Sequence, residues 1–154
     1  MLSYAINLCM AGQTYEVHAW MLLLALLKQE QCTACRVLQR LGLEDLYGAW
    51  HEALWALNAA DGLRPRAYTP RLTWAPRAYR VVNGAIRFAA WAGRERVLSE
   101  DLLMALAADG SLTDLFPDVE LGLDAVKRAV EKESGCKYDL PGYEDVLGSE
   151  DMFL

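Results

Sequence analysis

Ala19-Trp20-Met21-Leu22-Leu23-Leu24-Ala25-Leu26-Leu27-Lys28 is the stretch on which the fold turns, because its core is written twice in the chain. Leu22-Leu23-Leu24-Ala25-Leu26 returns as Leu102-Leu103-Met104-Ala105-Leu106, at an offset of 80 without a gap (102 − 22). Outward from it, Ala5-Ile6 recurs as Ala85-Ile86 and Val17 as Val97. Leu41-Gly42-Leu43-Glu44 recurs as Leu121-Gly122-Leu123-Asp124. The matched positions are mainly apolar or glycine, so what repeats is a packing scheme and the chain reads as two copies of one unit. Two copies are too few for an open solenoid, which needs about three to bury a continuous core. A pseudo-twofold domain is the expected solution.

The apolar spacing is helical nearly throughout, and no stretch alternates with the period of two that strands need. Leu2 to Ala11 reads as a first helix, and Ala19 to Lys28 as a second, apolar almost all round and therefore buried on most faces. Cys32 to Leu41 is a third, closed by Gly42, and Glu44 to Asn58 a fourth with acids at its positive end. The second copy runs from Pro76 to about Ala92, then from an N-cap at Ser99 through Leu102 to Ala108. A short helix near Ser111 to Phe116 is broken by Pro117, and a last one spans Leu123 to about Glu133. The expected fold is all-α, about eight helices in two pseudo-symmetric four-helix repeats. The double repeat covers 1–133: repeat one about 2–58, a proline-interrupted linker 59–75, repeat two about 76–133. An acidic, irregular tail occupies 134–154.

At 154 residues, 54% apolar with five Trp, the chain is long enough to bury a core and is not disordered. A net charge of −6 argues against a general nucleic-acid binder. No apolar run reaches the roughly 18 residues of a membrane span. Met1 leads almost directly into patterned sequence, so no targeting segment is read at the start. The four cysteines are too sparse for a disulfide scaffold.

Catalytic constellations are poorly supported. The two histidines, His18 and His51, have no nucleophile elbow beside them, and no metal-ligand set is formed. Neither a cofactor nor an enzymatic activity is expected. Cys32-Thr33-Ala34-Cys35 has the spacing of a redox pair or half a zinc site, but has no second pair and no histidine partner. It reads as two small apolar fillers sharing a helix face. Charge says more. Between Asp61 and Glu95 there is no acid, while Arg64, Arg66, Arg71, Arg77, Arg80, Arg87 and Arg94 crowd the interval, with Tyr68, Trp74 and Tyr79 among them. Arginine with aromatics is the composition of interface hot spots. Arg64, Arg66, Arg71, Trp74 and Arg77 are therefore expected to form a protein-docking surface, and the apolar tip Met152-Phe153-Leu154 is a second candidate.

Three motifs, in order and correctly spaced, carry a family resemblance. Ala75-Pro76-Arg77-Ala78 looks like a Thr-Pro-Arg-Ala opening, and Leu98-Ser99-Glu100-Asp101-Leu102-Leu103 like a Thr-Glu-His-Leu-Leu helix start. Val37-Leu38-Gln39-Arg40-Leu41-Gly42-Leu43 looks like the end of the third repeat helix. Together they resemble the Clp N-terminal domain, the double repeat at the front of Clp/Hsp100 unfoldases, across about residues 2–133. The resemblance is greatest to the stand-alone ClpT accessory proteins of chloroplasts, since no Gly-x-x-x-x-Gly-Lys-Ser/Thr occurs in these residues. It implies a non-catalytic subunit in the chloroplast stroma, with ClpP and ClpR protease subunits as partners and a Clp ATPase chaperone as a further one. The alternative it implies is the substrate- or adaptor-binding front domain of an unfoldase, with a cytoplasmic location as the alternative to the stroma. In bacterial members a Glu in each repeat helps bind phosphorylated arginine. The matching positions here are Trp20 and Glu100, so Glu100 stands as the remnant of a substrate site. The Met152-Phe153-Leu154 tip is similar in chemistry to the apolar loops by which Clp chaperones engage ClpP.

Overall fold

The computed structural model describes residues 2–11, 16–59 and 72–138. Among them, helices α1 (Leu2–Ala11), α2 (Ala19–Leu27), α3 (Thr33–Arg40) and α4 (Leu46–Ala59) form the first half. Helices α5 (Pro76–Trp91), α6 (Ser99–Ala108), α7 (Ser111–Leu115) and α8 (Leu123–Ser134) form the second. The all-α expectation is borne out.

The repeated apolar stretches α2 and α6 occupy the middle and touch each other. α2 packs against α1, α4 and α5, and α6 against α5, α7, α8 and α3. Met21 through Leu27 and Leu102 through Ala107 are all buried. Each leucine so enclosed contributes roughly 1.5–3 kcal/mol, which is why an all-round apolar helix can exist only at the centre.

Local chemistry sets the helix ends. α3 closes in a Schellman motif: Leu43 N–H donates to Leu38 O at 3.0 Å and Gly42 N–H to Gln39 O at 3.2 Å. Gly42 has φ +112°, a backbone state that disfavours a side chain. Its repeat mate Gly122 has φ −67° and serves instead as the N-cap of α8. α4 begins two residues later than its acids suggest, because Asp45 is its cap, with Oδ1 accepting Gly48 N–H at 2.9 Å.

Two features depart from the sequence reading. Ser99 is not the N-cap of α6 but its first helical residue. Leu98 holds the extended cap conformation, and Asp101 reaches back to accept its N–H at 2.7 Å. In addition, β1 (Glu16–Val17) and β2 (Thr73–Trp74) pair in parallel, Glu16 with Thr73 and Val17 with Trp74. Two residues are too few for a period of two to register. The ladder ties the residues just before α2 to the start of α5, extended by Ala75 N–H on Val17 O at 2.9 Å.

Candidate functional site

The most concentrated polar chemistry in the described residues lies at the N-terminus of α6, where the halves meet. α5 ends in a second Schellman turn: Gly93 has φ +71°, and Arg94 N–H donates back to Ala89 O at 2.9 Å. The turn aims Arg94 at the start of α6. There its Nη2 lies 2.6 Å from Asp101 Oδ1, and its Nη1 faces Glu100 Oε1 at 3.7 Å, a charge contact without a hydrogen bond. Tyr138, from the segment after α8, donates its hydroxyl hydrogen to Asp101 Oδ1 at 2.9 Å. The Tyr138 hydroxyl oxygen in turn accepts from Arg94 Nη2 at 2.9 Å.

These groups are enclosed. Asp101 is 0% exposed and Glu100 6%. Burial pushes the Asp101 carboxyl above the usual range against the opposing pull of Leu98 N–H, Tyr138 and Arg94. Burial together with the Asp101 carboxylate drives the Tyr138 hydroxyl well above its ordinary value. A buried carboxylate pair held by one guanidinium and one phenol is a structural clasp.

Glu100 belongs to that clasp. Its other oxygen accepts from Ser99 Oγ at 3.1 Å, so the carboxylate is turned inward between partners of its own chain. Its repeat mate Trp20 is half-buried against the core. Sequence reasoning singled out Glu100 but missed Asp101, Arg94 and Tyr138 as one unit. Arg94 was visible only as one arginine of many. Tyr138 lies in what reads as an irregular tail, yet it is 5% exposed and packs edge-on against Phe88 with ring centroids 6.2 Å apart.

Of the expected docking residues, Arg77 and Trp74 are described. Arg77 is engaged within the chain: its Nε lies 2.5 Å from Asp109 Oδ2, and its Nη2 lies 2.9 Å from Asp114 Oδ2. That guanidinium therefore joins α5 to α6 and α7. Trp74 is half-buried in β2 and packs on the core. Arg64, Arg66, Arg71, Met152, Phe153 and Leu154 lie outside the described residues.

A different surface carries exposed aromatics. Tyr47 is 72% exposed and Trp55 77%, on one face of α4 with His51 between them. The His51 ring meets Tyr47 at 4.4 Å and Trp50 at 5.1 Å, both edge-on. Lys28 lies over the Trp50 ring at 5.9 Å, and these side chains border a shallow cleft between the end of α2 and α4. Neither a metal-ligating cluster nor a helix long and apolar enough to cross a membrane occurs among the described residues.

Residues 1–135 match the family described as the Clp repeat (R) N-terminal domain. The chain belongs to that family. The Clp repeat domain expected from the motifs is thus borne out over nearly the range they suggested. Among curated proteins the chain is similar to the "ATP-dependent Clp protease ATP-binding subunit CLPT4, chloroplastic" of Chlamydomonas reinhardtii, with 54% identity over 147 residues. That match covers 96% of this chain and 60% of the relative, so the chain spans about three-fifths of the relative's length.

Proposed function

We propose that this Clp repeat domain acts as a non-catalytic accessory subunit of a chloroplast Clp protease in the stroma. In this reading it binds and stabilises the ClpP/ClpR core or modulates the docking of its chaperone. The observation that carries the reading is 54% identity, across nearly the whole chain, to a protein named as a chloroplastic Clp protease subunit. Two features support a binding role. The charged side chains at the halves' junction are turned onto one another, and the exposed Tyr47 and Trp55 present the residue types that dominate protein interfaces. Arg64, Arg66, Arg71, Trp74 and Arg77, and the Met152-Phe153-Leu154 segment, complete the proposed contact set.

The second reading is a substrate- or adaptor-binding domain that works with a Clp ATPase. It is favoured by the words "ATP-binding subunit" in the relative's name. Affinity capture from chloroplast stroma, with the retained subunits identified by mass, separates the two. Protease-ring subunits are expected to be retained. The paired changes Arg66→Glu and Arg71→Glu, or Tyr47→Ala with Trp55→Ala, are expected to reduce capture about tenfold or more. Retention of an ATPase hexamer without protease rings would replace the first reading with the second.

A further inference from the structure

The Cys32-Thr33-Ala34-Cys35 segment does not behave as two equivalent fillers. Cys32 is the N-cap of α3, in extended conformation (φ −72°, ψ 160°), and is half-buried at the lip of the helix. Cys35 sits one turn inside, fully buried, with its Sγ 3.5 Å from Leu26 O. Both are free thiols. N-cap and third-position residues face the same side of a helix, about 5–6 Å apart at Cβ, and a disulfide needs about 3.5–4.5 Å, so the cap residue moves inward as the bond closes. A third group comes from the other half: Ser99 of α6 accepts Ala34 N–H at 3.3 Å, which brings its hydroxyl to the mouth of the pair.

We propose that Cys32 and Cys35 form a redox-active dithiol at the seam between the halves, with Cys32 the exchanging thiol and Cys35 the resolving one, and that it takes disulfide-bearing partners. The asymmetry of access assigns the roles, since an external disulfide can meet Cys32 and cannot reach Cys35. The sulfur environment agrees. Contact with the Cys35 side chain, together with the Cys35 and Ala34 N–H groups, lowers the Cys32 thiol to about 6 despite partial burial. The same contact and burial push the Cys35 thiol upward, so it keeps its proton until exchange begins.

The step balances as follows. The Cys32 thiolate attacks one sulfur of a disulfide R–S–S–R, forming Cys32–S–S–R and releasing RS⁻ with the bonding pair. Cys35 then gives up its proton and attacks Cys32 Sγ, forming the Cys32–Cys35 bond and expelling the second RS⁻. The two thiolates take up the protons lost by the dithiol. The dithiol is oxidised by two electrons and the external disulfide is reduced to two thiols. This chemistry makes no use of the protease-docking reading and survives its failure.

The test uses the full chain in reduced and oxidised glutathione mixtures, followed by acid quench, thiol labelling and mass mapping. A single two-electron transition linking Cys32 to Cys35 is expected, with Cys9 and Cys136 still labelled. Cys35→Ser should stop at a glutathione adduct on Cys32, and Cys32→Ser should leave Cys35 unmodified in the folded protein. The rate of Cys32 alkylation in the unmutated chain should rise about tenfold from pH 5 to pH 7 and then level, as a thiol near 6 requires. An ordinary thiol would still be climbing above about pH 8. The proposal is overturned if wild-type chain in excess oxidised glutathione keeps both thiols free, or if the linkage forms through Cys9 or Cys136. The wild-type mapping decides the matter even where a serine variant fails to fold.

Discussion

The two central helices begin in opposite ways although they are copies of each other. α2 enters through His18, Ala19 and Trp20, and its next residue, Met21, is fully buried and apolar. α6 enters through Leu98, Ser99 and Glu100, and the residue matching Met21 is Asp101, equally buried. The repeat's packing therefore dictates burial at that position whatever the side chain is. A methionine there needs only neighbours. A carboxylate there needs the Leu98 N–H, the Tyr138 hydroxyl and the Arg94 guanidinium, delivered by three separate segments. The first half is held at this point by shape, the second by a closed set of charges.

The sharpest way to break that comparison is to remove the cation. Arg94→Ala leaves Asp101 and Glu100 buried without compensation and should lower the unfolding free energy by about 3–5 kcal/mol in urea denaturation. Copying the first half, with Asp101→Met and Arg94→Leu together, should recover most of that loss, because an apolar replacement of a buried pair is often neutral or better. A single-variant loss under about 1 kcal/mol would show that the clasp is not holding the second half.

An intermediate effect separates the two repeat glycines. Gly42→Ala forces a side chain onto φ +112° and should cost about 1–2 kcal/mol. Gly122→Ala, at φ −67° with open space around its Cβ position, should stay within about 0.5 kcal/mol. Equal costs would mean that the Schellman turn is not what distinguishes the end of α3 from the start of α8.

A small effect is also expected on the surface between the halves. Glu133 of α8 receives Arg36 Nε at 3.0 Å and Arg40 Nε at 2.9 Å, both arginines being more than half exposed. Glu133→Ala should therefore cost about 1 kcal/mol or less, and the difference should shrink further near 1 M salt. A larger loss that persists in salt would move the seam's stability from apolar packing to these ion pairs.

Much of the fold was legible because its signals are local. Long apolar helices, Pro76 at a helix start, Gly42 at a helix end and the 80-residue echo all act within a few turns of where they are written. The misreadings share the opposite character. Ser99 looks like a cap, but whether Leu98 or Ser99 breaks from the helix depends on where the Asp101 carboxylate is pulled. The Arg77 ion pairs give no local signal either, since α6 and α7 bring Asp109 and Asp114 to it from 32 and 37 residues away. Tyr138 sits among tail residues and gives no periodic signal, since a lone aromatic reaching back to a core has no spacing to betray it. The two cysteines looked alike because the helix repeat puts them on one face. Their difference in access arises only from the mouth formed by α3 and α6.

Residue order alone was enough to specify an all-α chain, its helix boundaries to within a few residues and its family, because apolar periodicity and turn chemistry are properties of short segments. It could not specify which charges close on one another. Partners such as Arg94 and Tyr138, 44 residues apart, meet only after the helices have packed, and in a buried site the pairing available decides whether a charge is a surface to offer or a clasp to keep.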